Sequence, residues 1–436
     1  MASRPAPLTL RTDRVGHMTQ ARQPGDWLNG SHGLGAHGHE HYMRLALHLA
    51  RRAVGQTSPN PMVGALLVKG HQIVGQGYHH RAGAPHAEVE ALRQAGSRAC
   101  GATLYVTLEP CNHTGRTPPC CDAILASGIA CVVIAMRDPN PVTQGRGIAR
   151  LRQAGLRVMT RVLEGEAQAL NAPFQKAMRS RMPFVIAKIG QSLDGKIATV
   201  SGESRWITSR ASRLVSHRLR SRVDAILIGV NTVLRDDPAL TVRGLRHRHG
   251  RPIKVIVDSR LRTPPSAQCL SCRPLAPTLI ATTVRTGAKR RALLRRGVDV
   301  VTLPARQGQV PLRRVCRLLV QRGIHTLLLE GGGEVLASAF AERIVDQIVF
   351  FIAPTLLGGR SAPNSLGGMG VRRLAHAIRL RDIEYSCVGP DLCVEARVVY
   401  PTAVGSTRQG EGVTSRWVLN KSRTPRSASR VPHHPY

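Results

Sequence analysis

The sequence predicts two α/β domains in tandem, each built on a largely parallel sheet. Three observations predict this. The chain has 436 residues, more than one hydrophobic core ordinarily organises. Short runs rich in Val, Ile and Leu alternate with amphipathic stretches, the pattern of strands joined by helices across a layered sheet. The alternation occurs twice, on either side of a helical stretch near 165–180, which sets a boundary at about residue 182.

Residues 1–39 are rich in Gly, His and Arg, lack periodicity and read as a disordered extension. Two alternatives stay open there: an upstream start with Met18 as the true first residue, and a transit peptide interrupted by Asp13 and Asp26. "HYMRLALHLARRAV" (41–54) spaces its apolar residues as a helix does. "MVGALLV" (62–68), "IVGQGY" (73–78), "TLYVTL" (103–108) and "CVVIAM" (131–136) read as strands, with helices expected over 86–95 and about 119–127. These complete a first domain over 40–182. The second set of strands is "FVIAKIG" (184–190), "AILIGV" (225–230), "IKVIVD" (253–258), "TLIATT" (278–283), "VDVVTL" (298–303), "HTLLLEGGG" (325–333) and "QIVFFIAPTLL" (347–357). They define a second domain over 183–400, and the Ser-, Arg- and Pro-rich stretch 401–436 reads as a disordered basic tail.

Bulk properties narrow the function. No apolar run approaches the roughly 18 residues of a membrane span, and the first forty residues, without a 7–15-residue apolar stretch, do not read as a secretory signal. The ten cysteines are scattered, so free thiols and a cytoplasmic setting are expected. A formal charge of +36 suits nucleic acid, an anionic membrane or a phosphorylated substrate. Aromatic residues make up only 3% and basic residues are spread over most of the chain, so the stacking platform of a single-strand binder is missing. A small anionic substrate is preferred over nucleic acid or membrane.

One constellation reads as a zinc site. His86-Ala87-Glu88 opens a predicted helix, and strand 103–108 runs into Glu109-Pro110-Cys111, with Cys120 nine residues on. One imidazole and two thiolates leave a tetrahedral position of zinc open, as hydrolysis requires. Glu88, two residues past His86, is placed to move the proton of an attacking water without ligating. Pro118 and Pro119 suit the first turn of a helix, which puts Cys120 at a helix N-terminus where the dipole favours thiolate. Cys121 is the rival ligand. Adjacent helical side chains diverge by about 100°, so one of the pair faces the metal, and Cys120 is preferred. A buried histidine with two core cysteines is the alternative to a metal site.

Weaker signals lie elsewhere. "LLLEGGGEVLASAF" (327–340) runs a strand through three glycines into a helix, presenting backbone N–H groups to a phosphate. It lacks the G-x-G-x-x-G spacing of the common dinucleotide fingerprint. "CLSC" (269–272) has redox or metal spacing without a second pair, and "HGHEH" (37–41) reads as linker.

His-x-Glu with Pro-Cys and a further cysteine resembles the zinc-dependent nucleobase and nucleoside deaminases, with the cysteines nine apart instead of three. The insert "NHTGRTPP" and the stretch "SPNPMVGA" (58–65) narrow the resemblance to the deaminase half of the bifunctional riboflavin-biosynthesis deaminase/reductase family. "SLDGKIATVSGESRWIT" (192–208), "GVNTVLRDDPALTVR" (229–243) and the glycine run resemble its reductase half, so the resemblance spans about 41–398. It implies a cytidine-deaminase-like α/β/α domain holding one Zn2+, followed by a dihydrofolate-reductase-like α/β domain using NADPH.

The resemblance also implies roles. Asn60, His79, His113 and Arg116 should bind the deaminase substrate, Arg116 standing where many relatives carry lysine. Gly190, Trp206, Thr232, Asp236, Ser259 and the loop Gly332, Gly333, Glu334, Val335 and Leu336 should touch NADPH. Ser204, Arg220, Leu240, Arg243 and Glu330 should touch the sugar-phosphate substrate, the two arginines as bidentate phosphate ligands. Arg285, and less directly Lys289, follow a predicted strand end and are expected near the 2′-phosphate of NADPH. The implied chemistry is hydrolytic loss of a ring amino group from a diamino-(phosphoribosylamino)pyrimidinone, then reduction of its ribosyl group to ribityl, by a homo-oligomer (dimer or tetramer). Two rivals are a nucleic-acid deaminase, against which the insert and the second domain argue, and a zinc-stabilised basic binding protein, which has no use for Glu88.

Overall fold

The computed structural model describes residues 36–115, 117–243, 251–271 and 277–401. The first sheet has five strands, β1 (Gly64–Lys69), β2 (Gln72–Tyr78), β3 (Thr103–Leu108), β4 (Cys131–Met136) and β5 (Arg157–Thr160), in the order β2-β1-β3-β4-β5. Around it lie α1 (Ala36–Arg51), α2 (Ala87–Ala95), α3 (Cys120–Ala126), α4 (Arg146–Gln153) and α5 (Glu164–Leu170). The sheet is mixed and not largely parallel. β2, β1 and β3 are antiparallel, and only β3, β4 and β5 run together. The physical reason is length: only Gly70 and His71 separate β1 from β2, which permits a hairpin but no crossover. Helix α1 begins at Ala36, so "HGHEH" is helical and not linker, and His39 Nδ1 lies 2.9 Å from the buried Tyr105 hydroxyl.

After α6 (Ala172–Ser180) the second sheet begins. Its strands are β6 (Phe184–Ser192), β7 (Ala225–Gly229), β8 (Ile253–Val257), β9 (Thr278–Thr282), β10 (Asp299–Thr302), β11 (Thr326–Leu329), β12 (Gln347–Ala353), β13 (Arg379–Val388) and β14 (Asp391–Val399). The helices between them are α7 (Arg210–Arg220), α8 (Val230–Asp236), α9 (Gln268–Ser271), α10 (Ala288–Arg295), α11 (Leu312–Gln321) and α12 (Gly333–Ala341). The strand order is β10-β9-β8-β7-β11-β6-β12-β14-β13. Pairing is parallel from β10 to β12, then antiparallel through β14 to β13.

The parallel strands are covered on both faces, which is why they read as unbroken apolar runs. Val185, Leu227 and Leu329 pack with α11 and α12 on one side. Ile186, Ile226 and Leu328 pack with α7 and α10 on the other. The β13–β14 hairpin was not expected from the sequence. β13 is an exposed edge carrying Arg379, Arg381, Asp382 and Glu384, so no run of apolar residues announces it.

Side chains before and within α6 tie it to each half in turn. Asn171, between α5 and α6, accepts from Met62 N at 2.8 Å and donates to Met62 O at 2.9 Å. Asp346 Oδ2 accepts from Lys176 Nζ at 2.6 Å and from Val185 N at 2.7 Å. Asn171→Ala leaves both peptide groups of Met62 buried without partners, and should lower unfolding free energy by about 3 kcal/mol. Urea denaturation against the wild type checks this.

Candidate functional site

The first site is assembled where β3 and two helix starts meet. His86 is the N-cap of α2, Cys111 follows the Glu109-Pro110 turn beyond β3, and Cys120 opens α3. His86 Nδ1 lies 3.0 Å from Cys120 Sγ and 3.6 Å from Cys111 Sγ. The three ligand atoms all fall within 4.8 Å of one another. Cys111 Sγ accepts from Cys120 N at 3.3 Å, and the adjoining Cys120 side chain, opposed by burial, holds the Cys111 thiol below the usual range while Cys120 is raised. One imidazole nitrogen and two sulfurs at this separation match the donor set zinc prefers. Cys121 is turned away: its Sγ lies 3.7 Å from Pro110 O, and burial pushes its thiol up to about 12.

Glu88 lies in the first turn of α2 and is 3% exposed. Burial raises its carboxyl above the usual range, partly offset by His86. A carboxyl raised in this way holds a proton taken from water more firmly than an exposed one, which suits it to pass that proton on. Asn60 Nδ2 donates to His79 Nε2 at 3.0 Å, and His79 Nδ1 donates to Pro85 O at 3.1 Å. Burial lowers the His79 pKa, consistent with a neutral ring. The His79 and His86 rings meet edge to face at 5.3 Å, so the Asn60–His79 pair borders the ligand cluster. His113 Nδ1 lies 3.4 Å from Thr143 Oγ1 on the neighbouring loop. Arg116 lies outside the described residues.

Two supports of this site carry no signal that spacing reveals. Glu109 is buried and accepts from the backbone N–H groups of Asp138, Gly145, Gly147 and Ile148. Its carboxylate ties the cysteine-bearing turn to the loop before α4. Gly147 must be glycine, because a Cβ there would stand 2.0 Å from Pro110 O. Thr117 Oγ1 lies 3.3 Å from His86 Nε2, the nitrogen that faces away from the sulfurs, and such a contact orients a ligating ring.

The second site is a cleft of about 1300 Å3 at the carboxyl ends of β6, β7, β8 and β11. Gly190, Ser204, Trp206, Arg220, Thr232, Asp236, Leu240, Arg243, Ser259, Glu330, Gly332, Gly333, Glu334, Val335 and Leu336 all line it. The glycine run is tight for a definite reason: a Cβ on Gly333 would meet Asn364 O at 2.6 Å. Trp206 is 69% exposed, with the Arg213 guanidinium 4.2 Å from its ring centroid. Ser204 Oγ donates to Asp236 Oδ1 at 3.0 Å, and Ser259 Oγ lies between Gln309 Oε1 and Val310 N. Leu240 is buried at a positive φ of 51°, backbone strain of the kind that gathers at functional clefts.

Two expectations are corrected here, those for Arg220 and for Arg285 with Lys289. Arg220 does not offer a free bidentate fork: its Nε and Nη2 donate to Glu330 Oε1 and Oε2 at 2.6 and 2.7 Å, and Nη1 donates to Thr241 O. Arg243 is exposed, and its Nε donates to Thr241 Oγ1. Arg285 and Lys289 do not line the cleft. Arg285 is exposed beyond β9 and Lys289 Nζ donates to Arg262 O, whereas Arg260 and Arg262 do line it. Cys269 is buried, and Cys272 lies outside the described residues, so "CLSC" forms no described site.

Lys188 is the cleft residue the sequence reading overlooked. It lines the cleft beside the Arg220–Glu330 pair, and burial lowers its pKa against the pull of Glu330. The signal was a single cation inside the otherwise apolar run "FVIAKIG". Every described cysteine is a free thiol, and among the described residues no helix is long and apolar enough to cross a membrane.

Known proteins share both domains. Residues 36–136 match the cytidine and deoxycytidylate deaminase zinc-binding region, and residues 183–394 match the RibD C-terminal domain. The riboflavin biosynthesis protein RibD of Aquifex aeolicus is 45% identical over 81% of this chain and 97% of its own. That of Escherichia coli is 42% identical over 81% and 98%. A solved structure of Acinetobacter baumannii RibD covers 84% of this chain and 100% of its own at 36% identity, with a TM-score of 0.77. The Thermotoga maritima diaminohydroxyphosphoribosylaminopyrimidine deaminase/5-amino-6-(5-phosphoribosylamino)uracil reductase covers 84% and 99% at 33% identity, with a TM-score of 0.73. A His/Cys/Cys cluster beside a buried glutamate, a glycine-lined cleft in a parallel sheet and these relatives lead to one conclusion: the chain belongs to the RibD family of riboflavin biosynthesis, with a zinc-binding deaminase domain followed by an NADPH-dependent reductase domain.

Proposed function

We propose that the two sites act in turn on 2,5-diamino-6-(5-phosphoribosylamino)pyrimidin-4-one, as the description of the Thermotoga relative suggests. The observation that carries the first step is the buried Glu88 carboxyl against the His86, Cys111 and Cys120 donor atoms. Zinc, when bound, supplies Lewis acidity that makes water nucleophilic near neutral pH. Glu88 takes the two protons of the attacking water in succession and gives one to the ring nitrogen and the other to the leaving amine, so the water oxygen ends as a ring carbonyl and the amino group leaves as ammonia. Asn60, the neutral His79, His113 and Arg116 orient the pyrimidine and its phosphate.

In the second step NADPH, when bound, supplies hydride to the anomeric carbon, and the opened ring oxygen takes up a proton. Gly190, Trp206, Thr232, Asp236, Ser259 and residues 332–336 hold the cofactor. Ser204, Leu240 and Arg243 bind the sugar phosphate. The Arg220–Glu330 pair is internally neutral and serves as a rigid wall, leaving Arg243 as the phosphate ligand. We place the enzyme in the cytoplasm as a homo-oligomer. The free thiols support the first reading, and the exposed Ile383 and Tyr385, two apart on the edge strand β13, support the second.

Three outcomes are expected. Glu88→Gln should keep zinc and lose deamination by at least about 100-fold, with reduction of pre-deaminated substrate intact. Rates of the two half-reactions measured apart decide this. Metal analysis should find zinc lost from Cys120→Ser and retained in Cys121→Ser, and the reverse pattern would make Cys121 the ligand. Arg262 lines the cleft with Nη2 2.6 Å from Asn231 Oδ1. Arg262→Ala should weaken binding of 2′,5′-ADP, the fragment carrying the 2′-phosphate, by roughly tenfold or more. Calorimetry should show no such loss for Arg285→Ala.

A further inference from the structure

We infer that the reductase domain positions the deaminase's substrate-binding turn, and that Asp224 acts through Ser58 as a positioning residue for deamination. The inference rests on the reading of Asn60 as a substrate ligand. Asn60 sits at the end of a turn closed by Asn60 N donating to Thr57 O at 2.8 Å. Ser58 and Pro59 form the middle of that turn. Ser58 Oγ reaches across and donates to Asp224 Oδ2 at 2.8 Å.

Asp224 is a fixed acceptor. The same Oδ2 accepts from His325 N at 2.9 Å and Thr326 N at 2.8 Å, and Asp224 N donates to Thr326 Oγ1 at 2.8 Å. These bonds clamp the starts of β7 and β11, the centre of the second sheet. The turn also meets backbone from these segments. A Cβ on Gly55 would lie 2.9 Å from Ser221 O and from Arg222 Cα, and one on Gly323 would meet the Pro59 ring at 3.6 Å. Beyond the turn, Met62 is held by Asn171. The stretch 55–62 therefore lies on a surface supplied by residues 221–224, 323–326 and 171.

The mechanical path is short. Asp224 fixes Ser58, Ser58 fixes the turn, the turn aims Asn60, and Asn60 bonds His79 Nε2. A carboxylate acceptor makes the first bond directional and stronger than a neutral one. The seat lies at the starts of β7 and β11, and the cleft at their ends, so loosening the seat leaves the cofactor cleft in place.

The test uses the full-length, zinc-loaded enzyme. Ser58→Ala removes the bond to the turn and leaves Asp224 its two backbone donors. Its KM for deamination should rise about tenfold with kcat within about twofold. Zinc content and reduction of pre-deaminated substrate should match the wild type, and Ser58→Thr, which keeps a hydroxyl, should restore the KM. Asn60→Ala is measured alongside. If Asn60→Ala raises the KM and Ser58→Ala does not, positioning by Asp224 is overturned while the role of Asn60 stands. If Asn60→Ala changes nothing, the reading of Asn60 fails and the inference with it. A parallel loss of both activities in Ser58→Ala would mark general damage to the fold and would also overturn it.

Discussion

Backbone N–H groups at the ends of buried strands and turns must find acceptors, and in this protein interior carboxylates supply them. Glu109 gathers the turn that carries Cys111 and the loop before α4. Asp224 gathers β7, β11 and the turn at Ser58. Asp346 gathers β6 and α6, and Asp391 accepts from Ser209 N and Ser212 Oγ at the start of α7. Each stands where a catalytic or binding segment meets the sheet. Replacing one would strand several donors together, at about 1–3 kcal/mol for each buried orphan. The chain has only 26 acidic residues against 62 basic ones. With key acids occupied inside, fewer of the 26 are left to offset the basic residues on the surface.

The two sites use charge in opposite ways. Around His86, Cys111 and Cys120 the groups are left open to a cation: a thiolate, a second sulfur and an imidazole nitrogen converge with a buried carboxyl beside them. In the cleft, the strongest pair is closed. Arg220 and Glu330 satisfy each other, and Arg243 and Arg262 lie at the exposed margin. A bidentate pair of this kind keeps its shape when a ligand arrives, so it suits a surface against which substrate is aligned.

Legibility in the sequence followed burial. Strands covered on both faces, such as β7 "AILIG" and β11 "TLLL", were plain because every position is buried and nearly all are apolar. The metal cluster was plain because chemistry restricts its residue types and spacing. The edge strands β5 and β13 were not, although β2 and β10 at the opposite edges were. β13 is wetted along most of its length and reads as charged loop, and β5 has four residues. Side-chain pairing across the sheet was also invisible. Nothing local to Arg220 announces Glu330, 110 positions on, and nothing near Arg285 announces that Arg262 instead reaches the cleft. Lys188 was legible in principle, since a cation within an apolar strand must have something to face.

The strand order carries a consequence for synthesis. The first sheet is complete once residue 160 has been made. β6 follows at once, yet its neighbours are β11 and β12, the latter starting at Gln347. At ordinary elongation rates β6 waits roughly 10–30 s for both partners to leave the ribosome. Over that interval "FVIAKIG" is an apolar strand with two bare edges, tethered to a finished domain. The turn at Ser58 is bare too, because its seat is not whole until Thr326 has emerged. The nascent chain therefore passes through a long interval in which the strands of the first sheet are all made while β6 exposes unpaired backbone on both edges.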